Sequence, residues 1–124
     1  MPTKNDESTR FYSQKQENHI AERFGGYRTA NSGAGLFAKS DVVIKDASLS
    51  IECKTSLSEK SSFSVKKEWI KKHKDEAFSN RLFNTALAIS FDPSGEENYY
   101  LIDEKLMSFL IEKLREENTE WITY

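Results

Sequence analysis

The stretch from Asp41 to Lys54 constrains this fold more than any other part of the chain. Asp41-Val42-Val43-Ile44 is one short apolar run, Lys45-Asp46-Ala47 is a turn, and Leu49 to Lys54 is a second run. Two β-branched runs joined by so short a polar connection form an antiparallel hairpin. Successive side chains of a strand point to opposite faces, so Ile51 and Cys53 are expected in the core while Glu52 and Lys54 share the other face. The same pairing draws Asp41, at the head of the first strand, towards Glu52.

The rest of the chain reads around that hairpin. Residues 1–9 are polar and are expected to be frayed. A helix is expected from Arg10 or Ser13 to Phe24, with Phe11, Ile20, Ala21 and Phe24 as its apolar positions, stopped by Gly25-Gly26. Tyr27 to Ala30 suits a short strand, and Asn31-Ser32-Gly33-Ala34-Gly35 a loop of small residues where backbone can approach a ligand closely. A polar linker, Thr55 to Ser62, follows the hairpin. Phe63-Ser64-Val65 reads either as a short strand or as the entry to a helix. That helix spans Lys66 to about Ser79, with Trp69, Ile70, His73, Ala77 and Phe78 sharing one face. Leu82 to Phe91 holds an apolar strand ended by Asp92-Pro93-Ser94-Gly95. Tyr99 to Ile102 is a further strand. Asp103 caps a last helix to about Glu117, with Leu106, Phe109, Leu110 and Leu114 inward. This order predicts an α/β single domain over residues 1–124: a small central mixed β-sheet flanked by helices.

Composition narrows the function classes. A length of 124 residues leaves room for one core. With 31% charged residues the chain is polar, but 12% aromatic argues against disorder. No apolar stretch approaches a membrane span, so no membrane partner is expected. The first seven residues lack an apolar segment, so no secretory signal is expected and the cytoplasm is the expected location. One cysteine, Cys53, rules out a disulfide within the chain, and two distant histidines leave a structural zinc site without ligands. Charge is unevenly divided. From Asp92 onward nine acids face three bases, a net of −6, whereas the first 91 residues hold eleven acids and fifteen bases, a net of +4. A mildly basic body would suit a polyanion, with the acidic C-terminal helix, residues 103–117, turned away from it.

The chemistry-bearing residues cluster on the hairpin. Close carboxylates at Asp41 and Glu52 repel unless a cation lies between them. Magnesium is the ready candidate, because it takes oxygen ligands and keeps several waters. Lys54, on the face of Glu52, would lie beside a phosphate or the attacking water. Taken alone, Glu52 and Lys54 equally suit a solvated pair on an exposed strand, and Asp41 a turn cap.

The wider string resembles a known family. Asp41 followed by Glu52-Cys53-Lys54 is similar to the motif of the PD-(D/E)XK nuclease superfamily, whose fold is restriction-endonuclease-like. Together with Gln16-Glu17, Ile20-Ala21, Gly25-Gly26-Tyr27-Arg28, Ser32-Gly33-Ala34 and Lys39-Ser40-Asp41-Val42, it resembles the small phage and archaeal-type Holliday junction resolvases. The likeness runs over residues 14–91 and weakens beyond. Ser40 stands where the motif has proline.

That resemblance implies a magnesium-dependent endonuclease of DNA recombination and repair that cuts branched double-stranded DNA at four-way junctions. Manganese would substitute for magnesium, and a phage enzyme would work in the host cytoplasm. Asp41, Glu52 and Glu17 would bind the metal, with Glu22 a rival for the helix glutamate, and Lys54 would be the catalytic lysine. Arg28, Ser32 and Lys39 would touch DNA. Two symmetric cuts imply a homodimer. A nicking, restriction-like or end-processing nuclease, and a nucleic-acid-binding module without catalysis, are the alternatives. Lys66, Lys67 and Lys71, with Lys72 and Lys74, could track phosphates, or simply form a solvated helix face. Cys53 is expected in the core rather than as a nucleophile.

Overall fold

The hairpin that begins at Asp41 forms as its alternation requires, and the rest of the sheet is built outward from it. The computed structural model describes residues 4–29 and 41–118, with side chains from residue 11 onward. The elements in order are α1 (Lys4–Phe24), β1 (Tyr27–Arg28), β2 (Val42–Ile44), β3 (Leu49–Thr55), α2 (Lys67–Ser79), β4 (Asn84–Ser90), β5 (Tyr99–Leu101) and α3 (Glu104–Glu117). The strands lie in sequence order in one five-stranded sheet. Val42 pairs with Ile51 and Ile44 with Leu49, antiparallel, across a 3-10 turn at Lys45–Ala47. β3 and β4 run parallel, joined through α2, and the two outer pairings are antiparallel. The chain is thus a small α/β domain with a mixed sheet and flanking helices, as the pattern predicts.

One sheet face packs against α1. Ile20 of that helix joins Val42, Ile44, Ile51, Cys53, Ala86 and Ala88 in a single buried cluster. Each fully buried aliphatic side chain contributes about 1.5–3 kcal/mol. The opposite face of β3 is covered by α2. There His73, 1% exposed, places its Nε2 2.8 Å from the Oγ of buried Ser50.

Several boundaries differ from expectation. α1 starts at Lys4, inside the stretch expected to be frayed; residues 4–9 contain no glycine or proline to stop it. Its end is as expected: Gly25 takes φ +71°, and a Cβ on Gly26 would lie 2.6 Å from the Val43 carbonyl oxygen. Phe63–Val65 is neither strand nor helix. Phe78 is exposed rather than on the packed face of α2. α3 is capped by Asp103, whose Oδ1 accepts from the Leu106 amide at 2.9 Å, yet it buries no residue. Phe109, Leu110 and Leu114, expected inward, are 54%, 42% and 58% exposed. The cause is a groove of about 480 Å³ between α3 and the α1-side face of the sheet, into which Leu106, Phe109 and Leu110 look without filling it.

Candidate active site

Three of the four expected catalytic groups meet around the open end of the hairpin, where β2 begins and β3 ends. The Asp41 amide donates to the Ile51 carbonyl at 3.2 Å. Its side-chain Oδ2 accepts from the Cys53 amide at 2.7 Å. These two bonds fix the carboxyl across the ladder from Glu52. Glu52 and Lys54 point to the other side of β3 from Ile51 and Cys53, and Lys54 Nζ lies 3.2 Å from Glu52 Oε2. Both side chains are partly covered, 28% exposed for Lys54 and 20% for Glu52. The Trp69 ring, from the first turn of α2, lies under the same ammonium, 4.2 Å from Nζ to the ring centroid.

Electrostatically the site is governed by burial first and by its neighbouring acids second. Burial lifts the Asp41 carboxyl from its ordinary 3.8 to about 7. The charges of Glu17 and Glu52 contribute to that rise, while the Cys53 amide and the Lys54 ammonium oppose it. Glu17 is also raised by burial, against the pull of Arg28. Cys53 is raised strongly, by burial first and then by Asp41, Glu17 and Glu52. Its thiol therefore stays protonated, which supports the core role expected for it. His73 is lowered by burial.

Glu17 reaches this field because of its neighbour. Gln16 is fully buried, and the two N–H bonds of its Nε2 are shared among the Lys54 carbonyl at 3.1 Å, the Ala88 carbonyl at 3.2 Å and Asn98 Oδ1 at 2.9 Å. One amide thus ties α1 to β3, to β4 and to the loop before β5. Gly95, at φ +68°, packs so tightly there that a Cβ would lie 2.8 Å from the Gln16 Cα. This anchor was invisible in the sequence. The only hint is a glutamine four residues before Ile20, on the face that α1 buries. His73 is buried on the packed face of α2, as its spacing predicts, but neither pattern reveals its polar partner Ser50 on β3.

Glu17 itself is held by Arg28, whose Nε lies 3.2 Å from Glu17 Oε1, while its Nη1 donates to Asn18 Oδ1 at 3.2 Å. Arg28 is therefore engaged with α1. Glu22 is exposed, and Glu17 is the helix glutamate whose charge reaches Asp41. Lys66 immediately precedes α2, with Nζ 6.0 Å from the Trp69 centroid, so it borders the site. Lys67 is exposed, and Lys71 pairs with Asp75 at 3.4 Å within the helix. Lys74 turns the other way, to Asp103. Ser32 and Lys39 lie outside the described residues.

Asp41 and Glu52 are the groups available to hold a divalent cation. Among the described residues no group of three His, Cys, Asp or Glu side chains stands close enough to hold one. Two carboxylates nonetheless suit magnesium, which is commonly held by one or two, with waters and substrate phosphate completing its shell. The raised Asp41 carboxyl, with two further acids close by, is the electrostatic state that such a cation would relieve. No helix among the described residues is long and apolar enough to cross a membrane.

Compared with known proteins, the chain matches no family model, no curated protein and no solved structure.

Proposed function

We propose that this chain is a magnesium-dependent endonuclease that hydrolyses phosphodiester bonds in branched DNA, four-way junctions foremost, in the cytoplasm. The observation that carries the reading is the Asp41–Glu52 carboxylate pair at the open end of the hairpin, with the Lys54 ammonium 3.2 Å from Glu52. A binding module has no use for two neighbouring carboxylates beside a phosphate, because they would repel it. A hydrolase does have one, since a bound magnesium supplies Lewis-acid stabilisation of the phosphate and lowers the pKa of water.

The chain's own groups then divide the work. Asp41 and Glu52 hold the cation, and the Cys53 amide orients the Asp41 carboxyl. Glu17 adds negative charge from α1 without leaving Arg28. Lys54 offers a preorganised positive charge to a phosphate oxygen as negative charge develops there. Lys66 and Lys67, at the start of α2 beside Trp69, suit contact with the DNA backbone, where shape and phosphate position rather than base edges would be read. Resolving a junction takes two symmetric cuts, so a two-fold homodimer belongs to the proposal. The exposed apolar side of α3 offers the surface for it.

A synthetic four-way junction and its separate linear arms, each incubated with magnesium and with chelator, test the reading. Magnesium-dependent cutting of the junction alone is expected. Equal cutting of the arms would make the chain a nuclease of another DNA substrate. Tight binding without cutting would make it a binding module.

A further inference from the structure

The contact between Trp69 and Lys54 lies outside the acid pair, and nothing in the proposed chemistry assigns it a part. Among the described residues the Lys54 ammonium meets the Glu52 carboxylate at 3.2 Å and the Trp69 ring at 4.2 Å from its centroid. They differ in what a cation would do to them. A divalent ion on Glu52 competes for the carboxylate and weakens its hold on the ammonium, whereas the ring is untouched.

The ring is also the better-anchored of the two. Trp69 and His73 are four residues apart on one face of α2. His73 is buried and bonded to Ser50, four residues before Lys54 on the same face of β3. α2 therefore lies on β3 with His73 over Ser50 and Trp69 over Lys54, and the buried polar contact fixes where the indole sits. A lysine stem has four rotatable carbons and no inherent preference for one place. An indole face is the strongest aromatic partner for an ammonium.

We infer that Trp69 is a positioning residue that keeps the Lys54 ammonium at the site once a divalent cation has taken Glu52. The inference rests on the nuclease reading, in which Lys54 acts on the phosphate. Trp69 does its work through Lys54 and touches no reacting atom.

The test combines single-turnover junction cleavage with spectra of the lysine side chains. With magnesium at saturating enzyme, Trp69→Leu should slow cleavage by roughly 3- to 30-fold, the kinetic equivalent of one cation–π contact. Junction affinity should be unchanged, and Trp69→Phe should restore much of the rate. In a Lys54→Ala background, Trp69→Leu should cost nothing further. A loss of the same size with and without Lys54 would make Trp69 a structural residue only and overturn the inference, as would a wild-type rate for Trp69→Leu. If Trp69→Leu fails to fold, Trp69→Phe decides, since its weaker ring should give an intermediate, Lys54-dependent rate and a wild-type rate would refute it.

The second readout needs no activity. In carbon-13 lysine-labelled protein the Lys54 ε-protons should be shifted upfield by the indole ring. That shift should persist when magnesium is added and vanish in Trp69→Leu. Loss of the shift in the wild type on adding magnesium would overturn the inference even in an active enzyme. Absence of cleavage by the wild type, with the shift retained, would refute the nuclease reading and leave the positioning contact standing.

Discussion

Asp41→Asn should stabilise the folded protein at pH 8. The Asp41 carboxyl is lifted from 3.8 to about 7 by burial, reinforced by Glu17 and Glu52 and opposed by the Cys53 amide and Lys54. The folded value lies above the unfolded one, so between them the native state binds more protons than the unfolded chain. The group costs nothing below about pH 4, its penalty grows as pH rises towards 7, and the whole penalty is present above that. The gap sets a ceiling of about 4 kcal/mol, and water reaching the partly exposed carboxyl reduces the expected size to about 2 kcal/mol. Asparagine carries no charge but keeps an oxygen for the Cys53 amide, which donates to Asp41 Oδ2 at 2.7 Å in the wild type. Urea denaturation at pH 4.5 and at pH 8 measures the difference. A smaller gap in favour of the variant is expected at pH 4.5, where the penalty is only partly developed, and the full gap at pH 8. Magnesium should raise the wild-type midpoint at pH 8 and scarcely move that of the variant, since a ligand stabilises only the state that binds it. A variant less stable than the wild type at pH 8, or an advantage of the same size at both pH values, would refute the electrostatic reasoning.

Lys54→Ala should lower the saturated single-turnover rate by about 10²-fold or more with little change in junction affinity, as for loss of one preorganised electrostatic group. Lys66→Ala and Lys67→Ala should do the reverse, weakening binding and flattening its salt dependence while the saturated rate holds; filter binding across a salt series separates the two patterns. Gly95→Ala should lower the urea midpoint by an amount equivalent to about 1–3 kcal/mol, because a Cβ there would lie 2.8 Å from the Gln16 Cα at a φ of +68°. Met107→Glu combined with Leu114→Glu should convert a dimer to a monomer in light scattering, since both side chains are exposed on α3 and neither lines the groove beneath it; an unchanged dimer would place the interface elsewhere.

The hairpin was legible in the sequence because period-two alternation and a short turn are local signals. Ile51 and Cys53 on one side, with Glu52 and Lys54 on the other, follow from the alternation alone. The proximity of Asp41 to Glu52 needs one further step, the register, which the turn length supplies. Gln16 shows where such reasoning stops. Its three acceptors lie 38, 72 and 82 residues away, on elements whose relative placement no local pattern states. Ser50 was hidden for a related reason: a polar residue on an alternating strand reads as solvent-facing until a helix is known to cover that face. α3 misled in the opposite direction. Its apolar stripe predicts burial, but a stripe records only that a surface avoids water, and within this chain the sheet does not fill the groove beneath it. Arg28 was assigned to DNA by resemblance, and what resemblance could not foresee is that it grips Glu17 and Asn18.

Whether Asp41 belongs to a cation-dependent cleavage site is decided by one comparison. A four-way junction labelled on each strand is held at saturating wild type or Asp41→Asn, with magnesium, for a single turnover. Paired, symmetric cuts by the wild type and none by the variant are expected, although the variant should fold and bind the junction as tightly or more tightly. Cutting by Asp41→Asn at close to the wild-type rate, or wild-type cutting that persists in chelator, would contradict the proposed site.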